Sequence, residues 1–409
     1  MNRRPVYSMM QVIYRGFQWL KDAVCKNAQA SLSHFSGHHD AIHSKRAYGL
    51  DLIRGIAILV VVYVHGLDFF PKRSGYLYLF TLDGVAIFFV LSGFLIGSIL
   101  IGTVEQSAFE FKDILVFWKR RWFRTLPNYY LVLIVLTIHE VSYHGIKFIA
   151  GALGKYYLFS QNISGPSSIP FFAESWSLAV EEWFYLTIPI CILMGLKLGL
   201  KKKTVLLSVI GVFILAPMVF RTLYWYHSSG LDAASFDNDI RKVTVTRLDA
   251  IGFGVLGAFI KRYLPKYWNQ HHIKYGIVGL GLLVFKQWWM FHASRYGAFE
   301  IICLFPVESA GVLLLIAALE NIRTTDRVTY RFITWTSLIS YSIYLLHYST
   351  IQQQIVEAFS KRTQWCHGWA AFVMYIGLIY AMASLLHIFW ENPMMNLRDR
   401  AKRAQDGVV

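Results

Sequence analysis

Charge is what this chain has least of. Asp, Glu, Lys and Arg make up 16% of its 409 residues, against about 25% in soluble globular proteins. Four cysteines (Cys25, Cys191, Cys303 and Cys366) are scattered, with neither metal-ligand spacing nor a disulfide frame. No internal repeat and no low-complexity linker is visible. The first 48 residues are polar and basic, without the continuous apolar core of a signal peptide. A soluble globular protein, a disordered chain, a disulfide scaffold and a collagen-like fibre are thereby excluded.

Apolar residues are what the chain does have, at 56%, with a mean hydropathy of +0.42. They recur in blocks of about 20, the length that crosses a hydrocarbon core of roughly 30 Å. The pattern predicts an all-α polytopic membrane protein. Its spans are 50–70, 81–102, 125–143, 176–196, 203–223, 247–263, 275–291, 299–319, 333–354 and 369–390. The net charge of +16 would suggest nucleic acid in a soluble protein; here it fits basic cytoplasmic loops. With ten spans and a cytoplasmic N-terminus, 27 of the 40 lysines and arginines fall inside and 11 outside. Counting 146–160 as a further crossing would put Lys201–Lys203 outside, so 144–175 reads as an outer loop with an interfacial or re-entrant segment. Both termini are then cytoplasmic. The organisation is a basic tail (1–48), a membrane domain (49–391) and a C-terminal tail (392–409). In the first tail, Val12, Ile13, Phe17 and Leu20 line up as an amphipathic surface helix or belong to a flexible arm.

Ionisable side chains inside apolar spans are costly and mark function. Arg54 and His65 lie in the first span, eleven residues and about 16 Å apart, within about 20° of one face. Asp51, one turn before Arg54, is placed to pair with it. Glu181 or Glu182 in the fourth span and His347 in the ninth fall near the depth of His65, within roughly 10 Å of the outer boundary. A histidine beside a carboxylate is equipment for general acid–base work. On the cytoplasmic side, Lys119, Arg120, Arg121 and Arg124 stand among Trp118, Trp122 and Phe123. That segment is either an interfacial anchor or a seat for an anionic, aromatic-headed cosubstrate.

Other motifs fail on context. Gly252, Gly254 and Gly257 fit a nucleotide-binding glycine pattern but sit in an apolar span, where close helix packing is the physical reading. His139-Glu140 and His144 miss zinc-protease spacing by one residue. His34, His38, His39 and His43 cluster in a polar tail with no cysteine, so no metal is expected.

The span GLDLIRGIAILVVVYVH resembles the first helix of the membrane-bound acyltransferase 3 family. So do GVAIFFVLSGFLIGSIL (84–100), the RxxR of Arg121 and Arg124 with Pro127, SWSLAVEEWFYL (175–186) and SYSIYLLH (340–347). These matches run in the family's order over roughly 48–390. The resemblance implies a ten-helix domain taking acyl groups from cytoplasmic acyl-CoA, most simply acetyl-CoA. It passes them to hydroxyls of extracytoplasmic glycans such as O-antigen, exopolysaccharide or peptidoglycan, in a bacterial inner membrane. His65 matches the family's essential histidine, Arg54 its paired arginine, Arg121 and Arg124 its RxxR, and Glu181 its SxxxExxFY glutamate. Two departures stand out. Ala86 replaces a residue that is polar in many members, with Asp83 one turn earlier as a substitute. An esterase-like SGNH domain, carried C-terminally by some members, has no counterpart here, which leaves acceptor choice to the membrane domain or a partner.

The expected division of labour follows. Arg54, Arg120, Arg121 and Arg124 hold the phosphates of acyl-CoA at the inner end. His65 is general base for an acceptor hydroxyl on a glycan or lipid-linked glycan, or else an acylated intermediate. Glu181 orients the imidazole, His347 is the next candidate base, and Ser177, Tyr341 or backbone amides serve the oxyanion. The rivals are an N-acyltransferase acting on amino sugars and a transporter with an intramembrane Arg/Glu/His path. The lack of matched broken helices speaks against the transporter.

Overall fold

The computed structural model describes residues 47–405 except 71–81, 107, 168, 229–230, 294–295, 324–326 and 364–366. The N-terminal amphipathic stretch and histidine cluster lie outside the described residues. Among the described residues the chain is helical and has no β-strand; one isolated antiparallel bridge joins Leu231 to Tyr296.

A helix stands at every expected span. In chain order they are α1 (Tyr48–Gly66), α2 (Gly84–Gln106), α3 (Phe111–His144), the short α4 (Ile146–Tyr157), α5 (Ser175–Lys197) and α6 (Lys202–His227). There follow α7 (Leu248–Tyr263), α8 (His272–His292), α9 (Leu304–Leu319), α10 (Arg327–Leu346), α11 (Trp369–Leu386) and a terminal α12 (Asn392–Gln405). Among the described residues five helices are long and apolar enough to cross a membrane by length and composition: those starting at Tyr48, Gly84, Ser175, Lys202 and Trp369. The protein is an all-α polytopic membrane protein. Helix α4 has 12 residues, about 18 Å at helical rise, too short for a full crossing. Gly145 at φ +78° separates it from α3, a backbone setting that favours glycine.

Helix α3 begins fourteen residues before its apolar part. The segment Phe111–Arg124 is too charged for a hydropathy window, yet a reciprocal cap nucleates it: Glu110 accepts from the backbone of Asp113, whose carboxylate accepts from the Glu110 N–H at 2.9 Å. This extension carries the RxxR arginines.

The glycine pattern in α7 is a packing seam. A Cβ at Gly254 would stand 2.0 Å from the Val90 carbonyl oxygen, and one at Gly93 equally close to that of Ile251. Helices α2 and α7 therefore touch backbone to backbone, as small residues permit in membranes. Gly254→Val is expected to force them apart and to lower the detergent-solubilised thermal midpoint by several degrees, an overpacking cost of about 1–3 kcal/mol. A midpoint equal to wild type would show that the seam yields.

Arg221 and Arg247, at the outer ends of the 203–223 and 247–263 spans, are the largest fully buried side chains among the described residues. Arg221 Nη2 lies 2.7 Å from Asp249 Oδ2, and its other amino group donates to the Thr246 carbonyl. The Arg247 guanidinium sits 4.1 Å over the Phe305 ring. Asp83 caps α2, accepting from Val85 and Ala86 at 3.0 and 3.1 Å. Its second oxygen faces Arg241 at 3.7 Å and Arg247 at 3.9 Å. In a low-dielectric interior such pairing is what keeps these charges tolerable.

Candidate active site

Helix α1 delivers His65 and α10 delivers His347, and the two rings meet edge-on with centroids 4.8 Å apart. His347 is fully buried, and Nε2 lies 3.3 Å from His65 Nδ1. Each Nδ1 also has a backbone carbonyl: Val61 for His65 at 2.9 Å, Tyr344 for His347 at 2.7 Å. A carbonyl only accepts, so both Nδ1 atoms carry hydrogen. His347 Nε2 is then the acceptor of the contact, and His65 Nε2 keeps a lone pair. A neutral imidazole with a fixed tautomer is a poised base. The Tyr348 ring tilts against His65 at 4.7 Å, a face that favours an imidazolium once it forms.

His347 opens a π-helical segment, His347–Val356, that continues α10. Such local widening of a helix is frequent at functional sites. It is pinned to the start of α5. The backbone N–H of Ser349 donates to the Glu174 carboxyl at 3.2 Å, and the Ser349 hydroxyl donates to it as well. Burial pushes that carboxyl up to about 7, against the Ser349 hydrogen bonds that favour its charged form. The Tyr344 hydroxyl donates to the Glu174 carbonyl at 3.0 Å and lies 2.6 Å from Ser177 Oγ.

Inward of this cluster, a cavity of about 150 Å³ is lined by Arg54, Arg121, Arg124, Glu181, Ser177 and Tyr344, among others. Arg54 lines this cavity, but His65, expected on the same face of α1, does not. Tyr344 and Ser177 close the end of the cavity, and His347 packs on Tyr344 with ring centroids 5.5 Å apart.

Glu181 departs from expectation. Its carboxylate pairs with Arg121 at 3.4 Å and, among the described residues, makes no hydrogen bond to His65. The reason is depth. The residue level with the histidines is Glu174, just before α5, and Glu181 lies seven residues further in, about 10 Å at helical rise. Arg121 also donates to Tyr185 Oη at 2.6 Å and to Ser92 Oγ at 3.3 Å. Its Nε is buried without a hydrogen-bond partner among the described residues. Glu181 therefore holds the Arg121 guanidinium, together with Tyr185 and Ser92. Tyr341, an expected oxyanion donor, lines the cavity but gives its hydroxyl to the Thr125 carbonyl at 2.8 Å.

The tryptophans of the basic segment stack on each other, Trp118 on Trp122 at 5.5 Å, and Trp118 Nε1 donates to the Tyr185 carbonyl at 3.0 Å. They do not line this cavity, and the Trp118 contact braces α3 against α5. Sequence reasoning missed Glu174, Tyr344 and Ser92. Glu174 alone left a signal, as a carboxylate one residue before an apolar span.

A family model described as an acyltransferase domain matches residues 47–388. The chain belongs to the acyltransferase 3 family. It is 27% identical over 363 residues to "Peptidoglycan O-acetyltransferase OatA" of Listeria monocytogenes, a match covering 84% of this chain and 55% of that protein. It is 34% identical over 156 residues to "O-acetyltransferase OatA" of Staphylococcus aureus, covering 35% of this chain and 24% of that one. The chain spans about half the length of the Listeria relative. No solved structure matches it.

Proposed function

We propose that this protein is a membrane O-acyltransferase that moves an acetyl group from acetyl-CoA to a hydroxyl of an extracytoplasmic glycan. The observation that carries the reading is the arrangement along one groove. Three arginines line a cavity that ends at Tyr344, and beyond Tyr344 lies a histidine pair whose hydrogen bonds leave His65 Nε2 unprotonated. The name of the Listeria relative favours a peptidoglycan acceptor over O-antigen or exopolysaccharide. This reading takes ten crossings with both termini cytoplasmic, supported by the excess of basic residues in the inner loops, so that the arginine end faces the cytoplasm of a bacterial inner membrane.

Arg54, Arg121 and Arg124 hold the phosphates by charge-assisted contacts, and the pantetheine arm runs outward along α1, about 16 Å from Arg54 to His65. The thioester arrives at the Ser177–Tyr344 end. His65 Nε2 takes the proton of the acceptor hydroxyl as its oxygen adds to the thioester carbonyl. The imidazolium that results is stabilised through Nδ1 by Val61 and His347. The tetrahedral adduct then collapses, the carbon–sulfur bond breaks, and the departing CoA sulfur takes the proton back. Ester forms and thiol is released.

Arg121→Ala is expected to weaken binding of acetyl-CoA by roughly ten- to a hundredfold, the loss of one charge-assisted contact. Arg121→Lys is expected to recover only part, since lysine keeps charge but not the planar fork. Titration of acetyl-CoA onto purified protein measures both. An Arg121→Ala affinity equal to wild type would return the basic segment to the role of a membrane anchor.

A further inference from the structure

The cavity has a mouth, and its wall includes a residue from the last helix of the chain. A second cavity of about 240 Å³ shares Ile96, Ile99, Arg121 and Arg124 with the first and adds Arg120 and Arg398. Arg398 comes from α12, which folds back against the start of α3; its Nη1 donates to the Arg120 carbonyl at 3.3 Å. Four guanidinium groups therefore surround this mouth. Asp113 also lines it, but its carboxylate is engaged in capping α3. The aromatic side chain at the mouth is Phe117, not either tryptophan.

We infer that α12 completes the donor site, with Arg398 holding the phosphorylated nucleotide end of acyl-CoA at the mouth while Arg54, Arg121 and Arg124 hold the deeper part. This rests on the acyl-CoA reading above and extends it to the terminal helix. A spread of positive charge over two joined cavities suits a ligand with phosphates at more than one position along its length. A thioester of pantetheine alone carries no phosphate for the outermost arginines to hold. Guanidinium suits the task because its fork engages two phosphate oxygens at once. The contact with Arg120 fixes α12 in place, so the group is pre-ordered and little side-chain freedom is lost on binding.

The test compares two donors on the full chain reconstituted in nanodiscs: acetyl-CoA, and S-acetylpantetheine, which lacks every phosphate and the nucleotide. For Arg398→Ala, KM for acetyl-CoA should rise roughly ten- to a hundredfold, with KM for S-acetylpantetheine within about twofold of wild type. Arg398→Lys should fall between. Binding of 3′-phospho-ADP alone, followed by calorimetry, should weaken by the same factor as KM for acetyl-CoA. Unchanged KM for acetyl-CoA would overturn the inference, and so would an equal loss for both donors, which would make α12 a structural brace. A wild-type protein that binds neither acetyl-CoA nor 3′-phospho-ADP would instead bring down the acyl-CoA reading itself, and the role of Arg398 with it.

Discussion

His65→Ala is expected to lower acetyl transfer by about a hundred- to ten-thousandfold, the range that a positioned general base contributes. The affinity for acetyl-CoA should stay close to wild type, because the base acts on the transition state and not on donor binding. His347→Gln tests the same unit from the other side. Its amide cannot reproduce the relay from the Tyr344 carbonyl through a ring to His65 Nδ1. Transfer should fall, less than for His65→Ala, and its pH profile should move. Steady-state rates with labelled acetyl-CoA, beside direct binding, separate the two effects. Substantial turnover in His65→Ala would pass the role of base to His347.

The second large effect concerns the fold. Asp249→Ala leaves Arg221 buried with its charge uncompensated, where the native pair is 2.7 Å apart and both side chains are fully buried. Breaking such a pair costs about 3–5 kcal/mol, a large fraction of the stability of a typical domain. The variant should accumulate poorly and melt far below wild type. Replacing both partners, as Arg221→Met with Asp249→Leu, should restore much of the loss, because the charge goes with its counter-charge. A single variant as stable as wild type would mean that Arg221 is sustained by its carbonyl contacts to Thr246 and Ile302 and the Phe305 ring.

Hydropathy and the charge of the loops were enough to locate a helix at each expected span, because apolar length is imposed directly by the bilayer. The start of α3 escaped them: Phe111–Arg124 is held by its cap and by contacts of Trp118 and Arg121, none of which raises hydropathy. At the site, depth could be read from residue counts, which is why His65 and His347 were expected at one level and are found in contact. Rotation about each helix axis, and which helix stands beside which, could not be read in this way. Glu181 was set level with His65 by a count from the wrong boundary, since Glu174 holds that level, and that α3 stands beside it with Arg121 could not be read. Arg398 was invisible for the same reason, since nothing in a basic C-terminal run says that it folds back onto Arg120. The buried arginines show a further limit: a charge at the end of an apolar run reads as a boundary until its partner, here Asp249, is seen in space.

The central claim is that the acyl group enters by the arginine-lined mouth and leaves as an ester at the histidine end. Proteoliposomes with a β-linked N-acetylglucosamine oligosaccharide sealed inside and labelled acetyl-CoA supplied only outside measure this directly. Molecules whose arginine end faces outward should transfer label to the enclosed sugar hydroxyls while free CoA appears outside, and His65→Ala vesicles should show neither. Label that reaches the oligosaccharide only when donor and acceptor share one compartment would contradict the account.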